Sequence, residues 1–370
     1  VALLLAGLCG PALSLGAAGS SPPEPVLAAI CYHRFGLETG KDPYRISLAR
    51  LAGQLEWLRA NGWRGVSLTQ VAAALDGDPL GLPPKAVLLS VDDGYKAGAL
   101  GAAVFERYGF HAVYFVVPAM LGNRAFLSYD DLRVLEAKGH EIASHTLTHP
   151  DLAKVPQGMA PRAYVRWVDH ELLEPKRLLE AALGHKVADL AWPYGAYNPA
   201  LVAAARRAGY RQLWTVTGGL NSIRTLDRLR LRRILLMGHP SLDAFARRLS
   251  GLPLRESAEG ISEGDLIYRS QLPLHLAIPK GLRVALGGRI LPLNPSGGVD
   301  LKTALKNGFH YLSIAQESGL SHRQTPVLFQ IAPDAWKPYF DSLVAEGFPA
   351  LTGAPLVPST SKPATRPRDP

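Results

Sequence analysis

From Val26 to about Leu249 the chain alternates short apolar runs with amphipathic stretches, regularly enough to name elements. Runs of strand length lie at Leu27–Tyr32, Ala86–Val91, Ala112–Val117, Glu141–Ser144, Val187–Ala191, Gln212–Val216 and Leu231–Leu236. Helical patterns fill the intervals. Ser47 is placed to cap a helix with Leu48, Leu51, Leu55 and Leu58 on one face, closed by Asn61-Gly62. Ser128 caps another that ends at Lys138-Gly139, Arg162 to Leu183 reads as one long helix, and Pro199 to Ala208 closes at Gly209. Strands alternating with helices imply a parallel sheet with helices outside it, and this number of strands suits a barrel or partial barrel.

After Gly251 the pattern changes. Short strand candidates follow at Leu272–Ile278, Arg283–Leu286, Arg289–Leu293, Phe309–Ala315 and Val327–Ile331, with Gly287-Gly288 as a two-residue hairpin signal and a helix expected at Ala335–Glu346. The reading is an α/β domain over 20–252, a small antiparallel β domain over 258–350 and a tail, 351–370, whose Pro, Ser, Thr and Arg content predicts disorder.

Composition fits this division. With 370 residues, 47% of them hydrophobic, the chain can fill a large core and exceeds the usual size of one domain. Residues Val1–Ala18 are apolar, end in small residues and precede a Ser/Pro-rich joint at Ser20–Pro25, so 1–19 reads as a secretory signal, although its basic leading region is absent. It is too short and too broken by Gly and Pro to span a bilayer. Export to the periplasm or the extracellular space is the corresponding expectation. Of the 2 cysteines, Cys9 leaves with such a signal, and Cys31 then reads as a small core residue in its apolar run.

The net charge of +9 favours anionic surroundings. Much of it comes from Arg206, Arg207, Arg211, Arg224, Arg228, Arg230, Arg232, Arg233, Arg247 and Arg248, read as solvated faces. No nucleic-acid module accompanies them, so nucleic acid is not an expected partner.

The chemistry concentrates where two apolar runs end. Ala86–Leu89 feeds Ser90-Val91-Asp92-Asp93-Gly94-Tyr95, and Glu141-Ile142-Ala143 feeds Ser144-His145-Thr146-Leu147-Thr148-His149. Parallel α/β proteins keep their functional groups at such strand ends. Successive strand residues point in opposite directions, so one aspartate can bind a metal while its neighbour faces substrate. One carboxylate and two imidazoles make a three-ligand divalent-metal site with an open position, suited to Zn²⁺, Co²⁺, Ni²⁺ or Fe²⁺. Pro150 argues against a regular helix at His149, so the two histidines are expected on a tight loop.

These motifs resemble those of the polysaccharide deacetylases. Ser90–Gly94 is similar to their T-F-D-D-G element and Ser144–His149 to their H-[ST]-x-x-H element; Val113–Val117, Gly139–His145 and Ala191-Trp192-Pro193-Tyr194-Gly195 also match. The resemblance covers roughly Val26 to Leu249. It is close to the branch acting on poly-N-acetylglucosamine in bacterial biofilms, whose members begin with a strand ending in Tyr-His, here Tyr32-His33.

The resemblance implies a distorted (β/α) barrel that hydrolyses N-acetyl groups of an extracellular or envelope polysaccharide. It implies a divalent metal, zinc first, on Asp93, His145 and His149. It makes Asp92 the base acting on the attacking water, and assigns the backbone N–H of Tyr194 to the oxyanion. His33 is the candidate acid for the leaving amine and His239 its rival. Where many members carry Arg before the motif's Pro, this chain has Trp192, which leaves the arginine that orients the base unassigned. Trp192, Pro193 and Tyr197 are candidate substrate contacts, the aromatics as a stacking wall. Two other readings stay open: an O-acetyl esterase, and a catalytically inactive glycan-binding protein. The second domain could bind polymer, contact envelope or export machinery, or cover the barrel. The sequence does not set the oligomeric state.

Overall fold

In the computed structural model of the chain, the described residues are 25–345 apart from 39, 78–81, 250–259, 263, 303–304 and 317–323. The expected signal 1–19, the domain boundary at 252–258 and the tail 351–370 lie outside the described residues.

Val26–Tyr32, Lys85–Asp93, Ala112–Val116, Glu141–Ser144, Asp189–Ala191 and Gln212–Trp214 pair in that order, each parallel to the next. Ile234–Leu235 pairs in parallel with the free side of Val26–Tyr32, while Leu231 bridges Trp214. The sheet therefore curls back on itself as a distorted barrel, through a broken last strand.

Period-two alternation sorts the side chains. Leu27, Ala29, Ala86, Leu88, Val113, Phe115, Ala143, Ala191, Trp214 and Leu231 fill the interior. Val87, Leu89, Val91, Tyr114, Val116 and Ile234 face outward to the helices. Ser47 caps Leu48–Ala60 through the N–H of Arg50, and Ser128 forms a capping box with Asp131 ahead of Tyr129–Ala137, as their positions predict.

Several boundaries differ from the sequence expectation, two of them next to the site. The second strand does not stop at Val91: Asp92 and Asp93 still pair, with Phe115 and Val116. The expected strand Leu231–Leu236 keeps only Ile234–Leu235 as paired strand.

Beyond the barrel, a five-stranded sheet has the order Leu266–Tyr268, Gln324–Ala332, Gly308–Gln316, Leu282–Leu286, Arg289–Ile290. It is antiparallel except for its first pair. Gly287 and Gly288, both at positive φ, turn the expected hairpin. Sequence reading missed Leu266–Tyr268 and Gly298–Leu301; both are short and lack a sustained apolar alternation. The helix Lys337–Ala345 packs on the barrel helices Pro161–Leu183 and Pro199–Arg207. Its Phe340 and Leu343 join Leu328 and Ala332 in one core with the barrel's Tyr164, Leu172 and Leu201.

Candidate active site

At the carboxyl ends of the barrel strands lies a cavity of about 470 Å³. His33, Asp92, His145, His149 and Tyr194 line it, with Asp151 and Lys154 at its side.

Asp93 ends its strand at φ 75, and His149 ends its loop at φ 65. Such left-handed backbone is costly without glycine and clusters at functional sites. It matters here because regular pleating would send the carboxylates of Asp92 and Asp93 to opposite faces. Instead both come near one imidazole: His145 Nε2 lies 3.7 Å from Asp92 Oδ2 and 3.6 Å from Asp93 Oδ1. His149 Nε2 is 3.3 Å from Asp93 Oδ1.

One ligand atom from each of Asp93, His145 and His149 falls within 4.8 Å of the others. The tautomer of His145 suits ligation. Its Nδ1–H donates to the carbonyl of Ala191 at 2.8 Å, and a carbonyl only accepts, so Nε2 presents a lone pair to the cavity. Burial pushes the His145 imidazolium down to about 4, so the ring is neutral at ordinary pH. This donor set fits a divalent cation that takes nitrogen and oxygen.

Asp92 has other bonds. Arg233, fully buried, donates Nη1–H to Oδ1 at 2.6 Å and Nη2–H to Oδ2 at 2.8 Å. Its remaining donors reach Ser90 Oγ at 3.1 Å and the carbonyl of Thr215 at 3.0 Å, and its plane lies 4.9 Å from the Phe115 ring. Burial alone would raise the Asp92 carboxyl; Arg233, then His145 and His33, outweigh it and hold it well below the usual carboxylate range. Cys31 adds an S–H bond to Oδ2 at 3.4 Å, and burial keeps that thiol protonated.

Arg233 supplies the arginine that the Trp192 position lacks. Sequence reading set it among solvated arginines, and the structure corrects that. Leu231 lines the interior, so by alternation Arg233 points inward as well; an arginine on that face was the available signal.

Cys31, His33 and Asp92 form a second group whose donor atoms also converge. Both oxygens of Asp92 are already engaged by the guanidinium, which makes this group the poorer cation site.

Glu171, on the long helix, is another residue the sequence reading missed. Its buried carboxylate accepts from the Leu147 N–H at 3.1 Å, the Thr148 N–H at 2.9 Å and the Thr148 hydroxyl at 2.6 Å, holding the loop between the two histidines. It sits one helical step from the buried Val168 and beside Leu172, and a carboxylate on that face was its signal.

Of the expected substrate contacts, Trp192 is among the residues lining the cavity, whereas Pro193 and Tyr197 are not. Leu190 and Trp192 share the outward parity, so the Trp192 ring packs against the helices. It is 0% exposed and stacks at 6.3 Å on Tyr197, which is 1% exposed. Pro193 is buried too. Neither aromatic offers a face to a sugar. The ring that does is Tyr194, 59% exposed at φ 59 and 4.8 Å from the His149 ring. The turn requires the next residue to be glycine: a Cβ on Gly195 would stand 2.5 Å from Val216 Cγ2. His33 lines the cavity 4.9 Å from the Tyr44 ring, whereas His239 is not among the lining residues.

A second cavity, about 400 Å³, lies at the amino ends of the strands. Its charges are already used: Arg211 and Arg228 pair with Asp76, and Glu141 accepts from the Leu68 N–H.

Residues 81–213 match the family model for polysaccharide deacetylases. The chain is similar to YxkH of Bacillus subtilis strain 168, 25% identical over 197 residues, covering 53% of this chain and 66% of that protein. It is similar to the poly-beta-1,6-N-acetyl-D-glucosamine N-deacetylase of Escherichia coli K12, 27% identical over 284 residues, covering 66% of this chain and 42% of that enzyme. Among solved structures, IcaB from Ammonifex degensii superposes with a TM-score of 0.52 at 25% identity, covering 61% of this chain and 96% of that one. The chain thus spans less than two thirds of the curated relatives it matches first.

Two outcomes test the electrostatics. Arg233→Met leaves a buried charge unpaired and should cost about 3–5 kcal/mol in urea unfolding. Adding Asp92→Asn should cost less than the sum of the two single changes, because they act as a pair; strict additivity, or a single-variant loss under about 1 kcal/mol, contradicts the pairing. The second concerns pH. In metal-free protein, folding lowers the His145 pKa from its usual 6.5 to about 4, so the unfolded chain binds more protons in that window. Stability should therefore rise as pH increases from about 4 to 6.5. His145→Asn should flatten that rise, and an unchanged slope argues against a buried neutral ring.

Proposed function

The chain carries a polysaccharide deacetylase domain, and from that premise we propose that it removes N-acetyl groups hydrolytically from an extracellular or cell-envelope polysaccharide of the poly-N-acetylglucosamine kind. The observation that carries the proposal is the division of labour in the cavity. Two imidazoles and a carboxylate bring one ligand atom each within 4.8 Å of one another, and a second carboxylate beside them is held anionic by an arginine. The similarity to the Escherichia coli N-deacetylase supports the choice of bond and polymer. Export to the periplasm or beyond follows from the same reading.

Asp93, His145 and His149 would hold the cation, zinc being the first candidate for two imidazoles and a carboxylate. Bound there, such a cation would supply Lewis acidity, which lowers the pKa of a water from about 15.7 towards about 7 and polarises an amide carbonyl. Asp92 accepts the proton of the attacking water. The Arg233 fork fixes that carboxylate in place and in its basic form, and it leaves the syn and anti lone pairs not used by the guanidinium for the proton. The backbone N–H of Tyr194 is assigned to the oxygen that gains charge on the carbonyl carbon. His33 donates the proton that lets the sugar amine leave, and the Tyr194 ring covers one face of the sugar. Atoms balance: water is consumed, and acetate and a free amine are released.

Acetate release tests this on matched N-acetylated and O-acetylated glycans, using protein stripped of metal and reloaded with zinc. Turnover should appear with the N-acetylated polymer only and return with zinc. Asp92→Asn should lower kcat by about 10²–10⁴-fold while zinc content stays at the wild-type level. Metal loss in that variant would exchange the roles of the two aspartates, and preference for O-acetyl groups would replace the amidase with an esterase.

A further inference from the structure

From Val327 to Ala332 the strand Gln324–Ala332 is buried on both faces. Val327, Phe329 and Ile331 point into the core of the C-terminal sheet, and Leu328 and Ala332 point into the core shared with the barrel. Gln330 has the parity of the barrel side and is 2% exposed. An amide there is an exception in the run Val-Leu-Phe-Gln-Ile-Ala, and its two ends go to two different barrel loops. Nε2–H donates to the carbonyl of Ala153 at 2.7 Å, and Oε1 accepts from Asn198 Nδ2 at 3.1 Å. The orientation is fixed along the whole chain of bonds. Ala153 offers only an acceptor, and the other end of the Asn198 amide accepts from the Leu201 N–H at 3.0 Å, capping the helix Pro199–Arg207.

Ala153 lies four residues after His149, and Asn198 lies four residues after Tyr194. The rings of His149 and Tyr194 meet at 4.8 Å across the cavity. Two further contacts bind the same loops to the same unit. The Tyr339 hydroxyl donates to the carbonyl of Met159 at 2.8 Å. The Gly264 backbone lies so close to the Tyr197 ring that a Cβ there would stand 2.6 Å from it.

We infer that the C-terminal sheet braces the catalytic cavity, with Gln330 as a positioning residue that sets the distance between the His149 loop and the Tyr194 turn. The assignment of those two residues to metal and substrate rests on the proposed deacetylase function; the mechanical coupling does not. The sheet is then a working part of the site, and the barrel alone has its two loops unbraced.

The test uses the full chain. Gln330→Met keeps length and volume and removes both bonds; Asn198→Ser keeps a helix-capping oxygen and removes the bond to Gln330 alone. Phe340→Leu is the control, loosening the shared core from the helix Lys337–Ala345 while leaving both bonds of Gln330 in place. Zinc affinity by competition with a chelator and amide hydrogen exchange at 147–153 and 193–198 are read beside kcat and KM. Gln330→Met should weaken zinc binding about tenfold, speed exchange in both segments together and lower kcat with KM nearly unchanged. Asn198→Ser should shift the same readouts less. Phe340→Leu should lower the melting temperature and leave zinc affinity and kcat alone. Wild-type zinc affinity and exchange in Gln330→Met overturn the brace. So do equal losses in Gln330→Met and Phe340→Leu, which would reduce it to general stability. Should the wild type hold no zinc, the metal reading fails, and exchange in the two segments still decides the brace.

Discussion

A buried guanidinium on a buried carboxylate decides what each of two adjacent aspartates can do. Asp92 and Asp93 both reach His145, at 3.7 and 3.6 Å, so distance alone does not separate them. Arg233 does. Its fork engages both oxygens of Asp92, and further donors bind Ser90 and Thr215, so four of its N–H groups are bonded within the protein. Such a pair is expensive to bury and contributes little net stability, but it is very costly to break from one side. Its use here is to reserve Asp92 as an anion and leave Asp93 to the imidazoles.

The rest of the cavity is built to keep that division. Parallel strands deliver the four acidic and imidazole groups at their carboxyl ends. Left-handed backbone at Asp93, Thr146, His149 and Tyr194 turns side chains that regular pleating would scatter. Glu171 holds the loop between the histidines, and the Ala191 carbonyl fixes the ring of His145. Strain at one end of the barrel is thus offset by hydrogen bonds from groups that never reach the cavity.

What the sequence made legible follows from periodicity. Apolar runs separated by capped helices place seven strands of the barrel sheet in order, missing the two-residue strands Arg64–Gly65 and Asn221–Ser222, and the two polar motifs lie where those runs end. Local patterns say nothing about partners far along the chain. Arg233 is 141 residues from Asp92, and its neighbours Arg230 and Arg232 made it look like one of a solvated set. Gln330 is 177 residues from Ala153 and belongs to a region where short strands hide their pattern. Ring orientation was not legible either: strand parity turns the Trp192 ring into the helix layer, where Tyr197 covers it.

The account stands on which donors take the cation. X-ray absorption at the zinc edge of zinc-loaded protein measures that directly. It should give a nearest shell of nitrogen and oxygen only, at about 2.0–2.2 Å, with the outer scattering of two imidazoles. A sulfur neighbour at about 2.3 Å, or the signature of a single imidazole, would put the ion on Cys31, His33 and Asp92 and contradict the roles assigned to Asp92 and Asp93.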